Sequence, residues 1–177
     1  VGMAARMLPW KGWDKVIDTA VLLKEQNVEF NLLLAGSDDV NYKNTLVDLV
    51  NKKGIQEFVS FHNHYEFIDD FFSQIDLFLF LSDSEGFGLI VLEAIENNTP
   101  VICSNIAPLS EFVDDTYGTL VDSHDVEKVA KLTKNILLNQ DFKNKVQKKQ
   151  KEKVISEFSI DIASSNYENY YIKLLND

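Results

Sequence analysis

Residues 76–94 read DLFLFLSDSEGFGLIVLEA, and the order of elements that they predict indicates the fold. Asp76 to Leu81 is a short, continuous apolar run, which is typical of a strand buried on both faces of a parallel sheet. A turn that contains Gly86 and Gly88 follows the run, and Phe87 to Asn97 is predicted to be helical. A strand, a glycine-containing turn and a helix in this order form the repeating unit of an α/β fold.

The same alternation continues in both directions from this stretch. The predicted strands are Val1 to Leu8, Phe30 to Ala35, Phe58 to Phe61, Asp76 to Leu81, Pro100 to Ser104 and Gly118 to Val121. The predicted helices are Trp13 to Gln26, Tyr42 to Lys53, Tyr65 to Ile75, Phe87 to Asn97 and Pro108 to Val113, followed by helical segments at about 125–138, 141–157 and 159–175. This order predicts a single Rossmann-like α/β domain of three layers, with a parallel sheet of about six strands, helices on both faces and a helical C-terminal segment.

The composition restricts the classes of function. The 177 residues fit one domain and carry a formal net charge of -11, which argues against nucleic acid as a partner because binding it requires a basic surface. No apolar run approaches the roughly 20 residues that a membrane-spanning helix needs. The single cysteine, Cys103, lies in an apolar run, so we expect a buried core residue and a reducing compartment such as the cytoplasm. Because Val1 already belongs to a predicted strand, the chain resembles an excised domain.

The turn after the fourth strand carries groups suited to a phosphate and a sugar. Ligands of such sheets bind at the carboxyl ends of the strands. Gly86 and Gly88 allow the backbone to approach a ligand, and the first N–H groups of the following helix carry the positive end of its dipole. Glu85 and Glu93 flank this turn, and carboxylates suit vicinal hydroxyls since each oxygen can accept a hydrogen bond. The simpler alternative is that Glu85 caps the helix and Glu93 is a surface charge, but a carboxylate in so apolar a helix is expected to have a partner.

The turn after the first strand supplies two cations, Arg6 and Lys11, followed by Gly12. An arginine can bind a diphosphate as a fork and a lysine as a point charge. The alternative is a solvated basic turn. Because this turn and the Glu85 turn fall at the same edge of the predicted sheet, the two features support each other.

With these residues in place, the chain resembles the retaining glycosyltransferases of family 4, the group 1 family with the GT-B fold. Ser84 to Glu93 resembles the Glu-x7-Glu motif of that family, and Arg6 to Gly12 resembles its Arg…Lys-Gly turn. Four further segments resemble family strands and the turns beside them: Leu32 to Gly36, Pro100 to Ser104, Glu111 to Val113 and Gly118 to Val121. The resemblance spans about residues 1–140.

The resemblance implies that residues 1–177 are the C-terminal, nucleotide-sugar-binding domain of a two-domain enzyme, whose N-terminal acceptor domain is absent here. Arg6 and Lys11 would bind the donor diphosphate, Glu85 would be the catalytic carboxylate beside the transferred sugar, and Glu93 would bind the ribose. The turn backbone would contact sugar and phosphate at Gly86, Phe87, Gly88 and Leu89. The implied reaction is retaining transfer from a UDP-sugar or GDP-sugar to a glycan, lipid or other acceptor, with neither a metal ion nor a cofactor.

Some residues depart from the family pattern and leave alternatives open. Ala5 and the pair Ala107-Pro108 replace usual glycines, so the sugar preference stays open. His62-Asn63-His64 replaces a glycine-containing turn that would lie near the base, and a metal site there would lack a third ligand. The alternatives are a catalytically silent nucleotide-sugar-binding module and a sugar-nucleotide epimerase with the same fold. A nicotinamide dehydrogenase is disfavoured because no Gly-x-Gly-x-x-Gly follows the first strand.

Two features of the C-terminal segment are predicted to be structural. A lysine tract is expected to form a solvated helix face, with peripheral contact to an anionic membrane as the alternative; it comprises Lys143, Lys145, Lys148, Lys149, Lys151 and Lys153. The resemblance implies that the last segment packs against the other domain. Some of its aromatic residues would then be exposed without that domain: Phe158, Tyr167, Tyr170 and Tyr171.

Overall fold

A computed structural model describes residues 1–176 and confirms the predicted architecture. Six parallel strands form one sheet in the order β3-β2-β1-β4-β5-β6. The strands are Gly2–Ala4 (β1), Leu32–Ala35 (β2), Val59–His62 (β3), Phe78–Phe80 (β4), Val101–Ser104 (β5) and Leu120–Val121 (β6). The helices are Trp13–Glu25 (α1), Lys43–Lys52 (α2), Ile68–Phe72 (α3), Leu89–Glu96 (α4), Leu109–Phe112 (α5), Val126–Leu138 (α6), Gln140–Phe158 (α7) and Ile160–Asn176 (α8).

Helices cover the sheet on each side, and the strands are therefore largely apolar on both faces, except for the edge strand β3, in which Ser60 and His62 are exposed. One core joins α1, α2 and α6 to the strand residues Met3, Leu32, Leu34, Leu79 and Ile102. The other joins α3, α4, α5 and α7 to the alternate positions, which are Ala4, Leu33, Phe78, Phe80, Val101 and Cys103. Cys103 is fully buried, and its burial raises the pKa of the thiol, so the prediction of a core residue is confirmed.

The direction of strand order reverses between β1 and β4, and two glycines permit a close backbone approach there. Gly12 has a φ of 81°, and a Cβ on it would lie 2.1 Å from the carbonyl oxygen of Leu81. A Cβ on Gly36 would lie 1.8 Å from the carbonyl oxygen of Ala5. The ends of β1, β2 and β4 therefore meet at one place on the carboxyl edge of the sheet, where open α/β sheets bind ligands.

Several predicted boundaries were wrong, each for a local reason. The first strand was predicted to reach Leu8, but it ends at Ala4, and Pro9–Lys11 forms a short 3-10 helix. Helix α4 was predicted from Phe87, but it begins at Leu89 because Gly88 has a φ of 86°. The helix predicted over 65–75 is helical only at Ile68–Phe72. His62 was placed in a turn, and it is the last residue of β3. The remaining boundaries differ by one or two residues.

Helix α7 is fixed to the sheet by a buried glutamine. Gln150 is only 1% exposed. Its amide oxygen accepts a hydrogen bond from the Val101 N–H at 3.0 Å, and its amide nitrogen donates to the Val101 carbonyl at 2.8 Å and to Thr119 Oγ1 at 3.2 Å. The side chain thus satisfies both backbone groups of one residue at the start of β5.

The outer part of α7 and α8 faces solvent. Several members of the lysine tract pair with carboxylates: Lys143 with Asp76 at 2.7 Å, Lys149 with Glu152 at 3.0 Å and Lys151 with Glu96 at 3.2 Å. In α8, Tyr167, Tyr170 and Tyr171 are exposed, whereas Phe158 contacts the edge of Phe112. Within residues 1–176, no helix has the length and apolar character needed to cross a membrane.

Candidate functional site

A cavity of about 540 Å³ opens at the carboxyl edge of the sheet, beside the point where β1 and β4 meet. This volume lies in the range of small-molecule sites, roughly 300–1,000 Å³. The ends of β1, β2 and β4 line it, together with the start of α4 and the loop after β3. It brings together six of the predicted site residues: Arg6, Lys11, Glu85, Gly88, Leu89 and Glu93.

The centre of the cavity is a partly buried ion pair. Lys11 Nζ donates to Glu85 Oε1 at 2.5 Å, and their side chains are only 14% and 8% exposed. The ammonium also lies 5.8 Å from the centroid of the Phe80 ring. Arg6, in contrast, is exposed and forms no ion pair with any residue in the described part of the chain. The lysine charge is therefore paired with a carboxylate of the chain, while the arginine charge is available.

The start of α4 presents backbone to the cavity. Gly88 precedes the helix without a side-chain cap, and Gly88, Leu89 and Ile90 line the cavity. A Cβ on Gly88 would lie 2.5 Å from Leu109 Cδ2, so the packing as well as the φ favours glycine there. A Cβ on Gly86 would meet nothing within 4 Å. The helix start can thus receive an anion, because its first N–H groups lack partners within the helix.

Glu93 lines the cavity, and its carboxylate has no partner among residues 1–176, so its binding to a ribose stays a prediction. Only eight residues form α4, and its buried face is Val91, Ala94 and Ile95, which leaves Glu93 exposed. Partial desolvation raises the pKa of its carboxyl, and the negative charge of Asp69 raises it further. Glu85 lies before the start of the helix, whereas Glu93 lies within it.

Gly86 and Phe87 lie outside the lining of the cavity. The ring of Phe87 is 45% exposed and stacks on Phe112 with centroids 5.5 Å apart. It also borders a second, apolar groove with Tyr167 and Tyr170 of α8. The structure therefore separates these two predicted contacts from the other six.

Sequence reasoning missed a buried cation behind the site. Lys15, in the first turn of α1, has a side chain only 7% exposed. Its ammonium pairs with Asp83 and donates to Ser123 Oγ at 3.0 Å and to the Leu81 carbonyl at 3.4 Å. The partners lie up to 108 residues away along the chain, so only the helical spacing of apolar residues around Lys15 could have drawn attention to it.

The histidines and the acidic turn have separate roles. His64, which follows β3, lines the cavity, while Nδ1 of His62, the last residue of β3, lies 3.4 Å from the hydroxyl of Tyr65. In the acidic turn after β2, Asp38 accepts hydrogen bonds from the N–H groups of Tyr42 at 2.6 Å and Lys43 at 3.1 Å, so it caps the start of α2. No cluster of three or more His, Cys, Asp or Glu that could bind a metal ion occurs in the described residues.

Residues 1–153 match the family described as "Glycosyl transferases group 1". O-antigen biosynthesis glycosyltransferase WclY of Escherichia coli is 34% identical to the chain over 178 residues, covering 99% of this chain and 47% of WclY. Trehalose synthase of Thermococcus litoralis is 30% identical over 185 residues, covering 99% of this chain and 43% of that enzyme. The chain thus spans about half the length of these curated relatives.

Solved structures show the same fold. A glycosyltransferase from Rickettsia africae has a TM-score of 0.86 at 22% identity, over 99% of this chain and 48% of its own. HepE of Anabaena, in complex with UDP and glucose, has a TM-score of 0.84 at 20% identity, over 96% of this chain and 47% of its own. At these identities the likeness establishes the architecture alone.

Proposed function

We propose that this chain, which belongs to the group 1 family of glycosyltransferases, is the donor-binding domain of a retaining enzyme that transfers a sugar from a nucleotide-sugar. The observation that carries the proposal is the convergence of Arg6, Lys11, Glu85 and Glu93 around one cavity. A donor of this kind has two anionic phosphates and hydroxyls at each end. The cavity supplies cations at its centre and carboxylates at two places on its wall.

The donor diphosphate binds between the two cations and the start of α4. Arg6 is unpaired in the described residues and offers a fork of donors, while Lys11 offers a point charge. A phosphate oxygen of the donor competes with the Glu85 carboxylate for Lys11, because both anions bind the same ammonium group. Donor binding therefore frees or shifts the Glu85 carboxylate to accept hydrogen bonds from the sugar, and Glu93 accepts them from the ribose.

Transfer breaks the bond between the anomeric carbon and the diphosphate, whose leaving oxygen gains negative charge. Arg6, Lys11 and the N–H groups at the start of α4 are fixed donors that stabilise this charge, the electrostatic mode of catalysis. In this proposal they take the place of a metal ion. The complex of HepE with UDP and glucose supports a donor of the same class.

A second domain supplies the acceptor side. The chain spans about half the length of its curated relatives, which supports a further domain opposite the cavity. Without that domain, the donor sugar and the acceptor are not held next to each other. Holding two reactants in this way can lower the activation barrier by roughly 7–11 kcal/mol. We therefore expect the 177 residues alone to bind donor without transferring sugar, and the full-length protein to do both.

Calorimetry with UDP, GDP, ADP and their sugars tests the donor site. Arg6→Ala and Lys11→Ala should each weaken binding by about 10- to 100-fold, since each removes a charge-assisted contact. Lys53→Ala is the matched control, because Lys53 pairs with Asp18 away from the cavity. Absence of binding by all of these nucleotides at millimolar concentration would contradict the proposal.

The two carboxylates are distinguished by separate measurements in the full-length protein. Glu85→Gln should lower kcat more than it weakens nucleoside diphosphate binding, because its partner is the sugar. Glu93→Gln should weaken binding of the nucleotide itself, because its partner is the ribose. The assignment fails if Glu85→Gln changes only nucleotide affinity and Glu93→Gln leaves that affinity unchanged.

A further inference from the structure

We infer that Lys15 is a positioning residue for sugar transfer, which fixes the loop that carries Glu85 through its buried contact with Asp83. The inference rests on the proposed function, in which Glu85 contacts the transferred sugar. Lys15 itself does not line the cavity.

All three protons of the Lys15 ammonium have acceptors. They are the carboxylate of Asp83, the hydroxyl of Ser123 and the carbonyl of Leu81. Burial of a charge costs free energy unless the charge is paired and hydrogen-bonded, and the Lys15 ammonium is both. Two of the three acceptors belong to the segment between the end of β4 and the start of α4, which is the Glu85 loop, residues 81–88.

The first half of the Glu85 loop is held by several bonds, and its second half by few. The Asp83 N–H donates to the Trp10 carbonyl at 2.9 Å, and Ser82 Oγ donates to the Ser84 carbonyl at 2.8 Å. Beyond these residues, the side chain of Glu85 pairs only with Lys11 in the described chain. Gly86 has open space on its Cβ side. The position of Glu85 therefore depends on two anchors. The first is Lys11 at its carboxylate, and the second is Asp83, two residues earlier, which is bound by Lys15 through its side chain and by Trp10 through its backbone.

Donor binding leaves the second anchor to act alone. Once a phosphate engages Lys11, the Glu85 carboxylate no longer has an exclusive partner, and its place is set by the backbone at Asp83. Asp83 is 43% exposed, so water can solvate it when Lys15 is replaced. His124, which is itself largely exposed, also lies 3.4 Å from Asp83. Loss of Lys15 should therefore change the geometry of the loop more than the stability of the fold.

The test compares Lys15→Met, Asp83→Asn and the double variant in the full-length protein. We expect kcat to fall about 10- to 100-fold in each single variant, because a misplacement of about 1 Å can cost this much, while the Kd for UDP or GDP stays within about threefold. The double variant should be no slower than the worse single variant, since both disrupt one contact. Lys53→Met, which breaks the partly exposed pair with Asp18 away from the cavity, is the control and should leave kcat and Kd unchanged.

Three results would overturn the positioning role. The first is an unchanged kcat in Lys15→Met. The second is a double variant in which the effects of the two single variants multiply. The third is a parallel fall of kcat, nucleotide affinity and Tm, which would indicate a purely structural role. If Lys15→Met does not fold, Asp83→Asn decides the question by the same split between kcat and Kd. Wild-type protein that transfers no sugar would instead overturn the proposed function, so the two failures are distinct.

Discussion

Replacement of Gly12 by alanine should destabilise the fold, and the structure gives the size of the effect. Gly12 has a φ of 81°, which costs an L-residue about 1–2 kcal/mol. The new Cβ would lie 2.1 Å from the carbonyl oxygen of Leu81, and relief of such overpacking costs about 1–3 kcal/mol. The lower entropy of the unfolded alanine chain offsets about 0.4–1 kcal/mol. We therefore expect the free energy of unfolding to fall by about 1–5 kcal/mol.

Gly86→Ala is the matched control, because its Cβ would meet nothing within 4 Å. Its free energy of unfolding should stay within about 0.5 kcal/mol of wild type. Urea unfolding followed by circular dichroism measures both variants, with an unchanged m-value as the sign that only stability has changed. Equal unfolding midpoints for Gly12→Ala and Gly86→Ala would refute the reasoning, since the two sites differ only in backbone conformation and packing.

Three further predictions concern the buried glutamine, pH and metal ions. Gln150→Ala should lower the free energy of unfolding by about 2–5 kcal/mol, because it leaves the buried backbone groups of Val101 unpaired. The control Lys148→Ala, on the same helix, should change this free energy little, and equal losses for the two variants in urea unfolding would contradict the prediction. Because the pKa of Glu93 is raised, its carboxylate should become protonated at a higher pH than that of an ordinary glutamate. As the pH is lowered, the nucleotide affinity of the wild type should therefore fall toward that of Glu93→Gln. If calorimetry shows the same ratio of the two affinities at every pH, this carboxylate has no role in binding. Transfer by the full-length protein should survive EDTA, since Arg6 and Lys11 supply the positive charge; complete loss restored by Mg²⁺ or Mn²⁺ would contradict the metal-free proposal.

The sequence predicted the parts of the molecule that short-range patterns control. Buried runs such as Phe78–Phe80 identify strands without any knowledge of their neighbours, and a turn at the end of a strand must lie at the ligand-binding edge. Arg6, Lys11 and Glu85 were therefore expected near one another, and they line one cavity.

Long-range and conformational details were not predictable in this way. Lys15 and Asp83 lie 68 residues apart, and nothing local marks either as a partner of the other. The exposure of Glu93 depends on where α4 begins, which Gly88 determines through its positive φ. The sequence pattern alone could not tell whether a glycine such as Gly88 is needed for its positive φ or for close approach to a ligand.

The buried Gln150 has a consequence for where α7 can lie. Apolar contacts alone would allow α7 to shift along the sheet, because one methyl group can replace another at little cost. The Gln150 amide, in contrast, can bond both backbone groups of Val101 in only one position of the helix. A buried polar group of this kind can select a single arrangement among similar ones. Since α8 follows α7 directly and lines the apolar groove beside Phe87, one side chain in the core specifies the alignment of the C-terminal helices with the Glu85 loop.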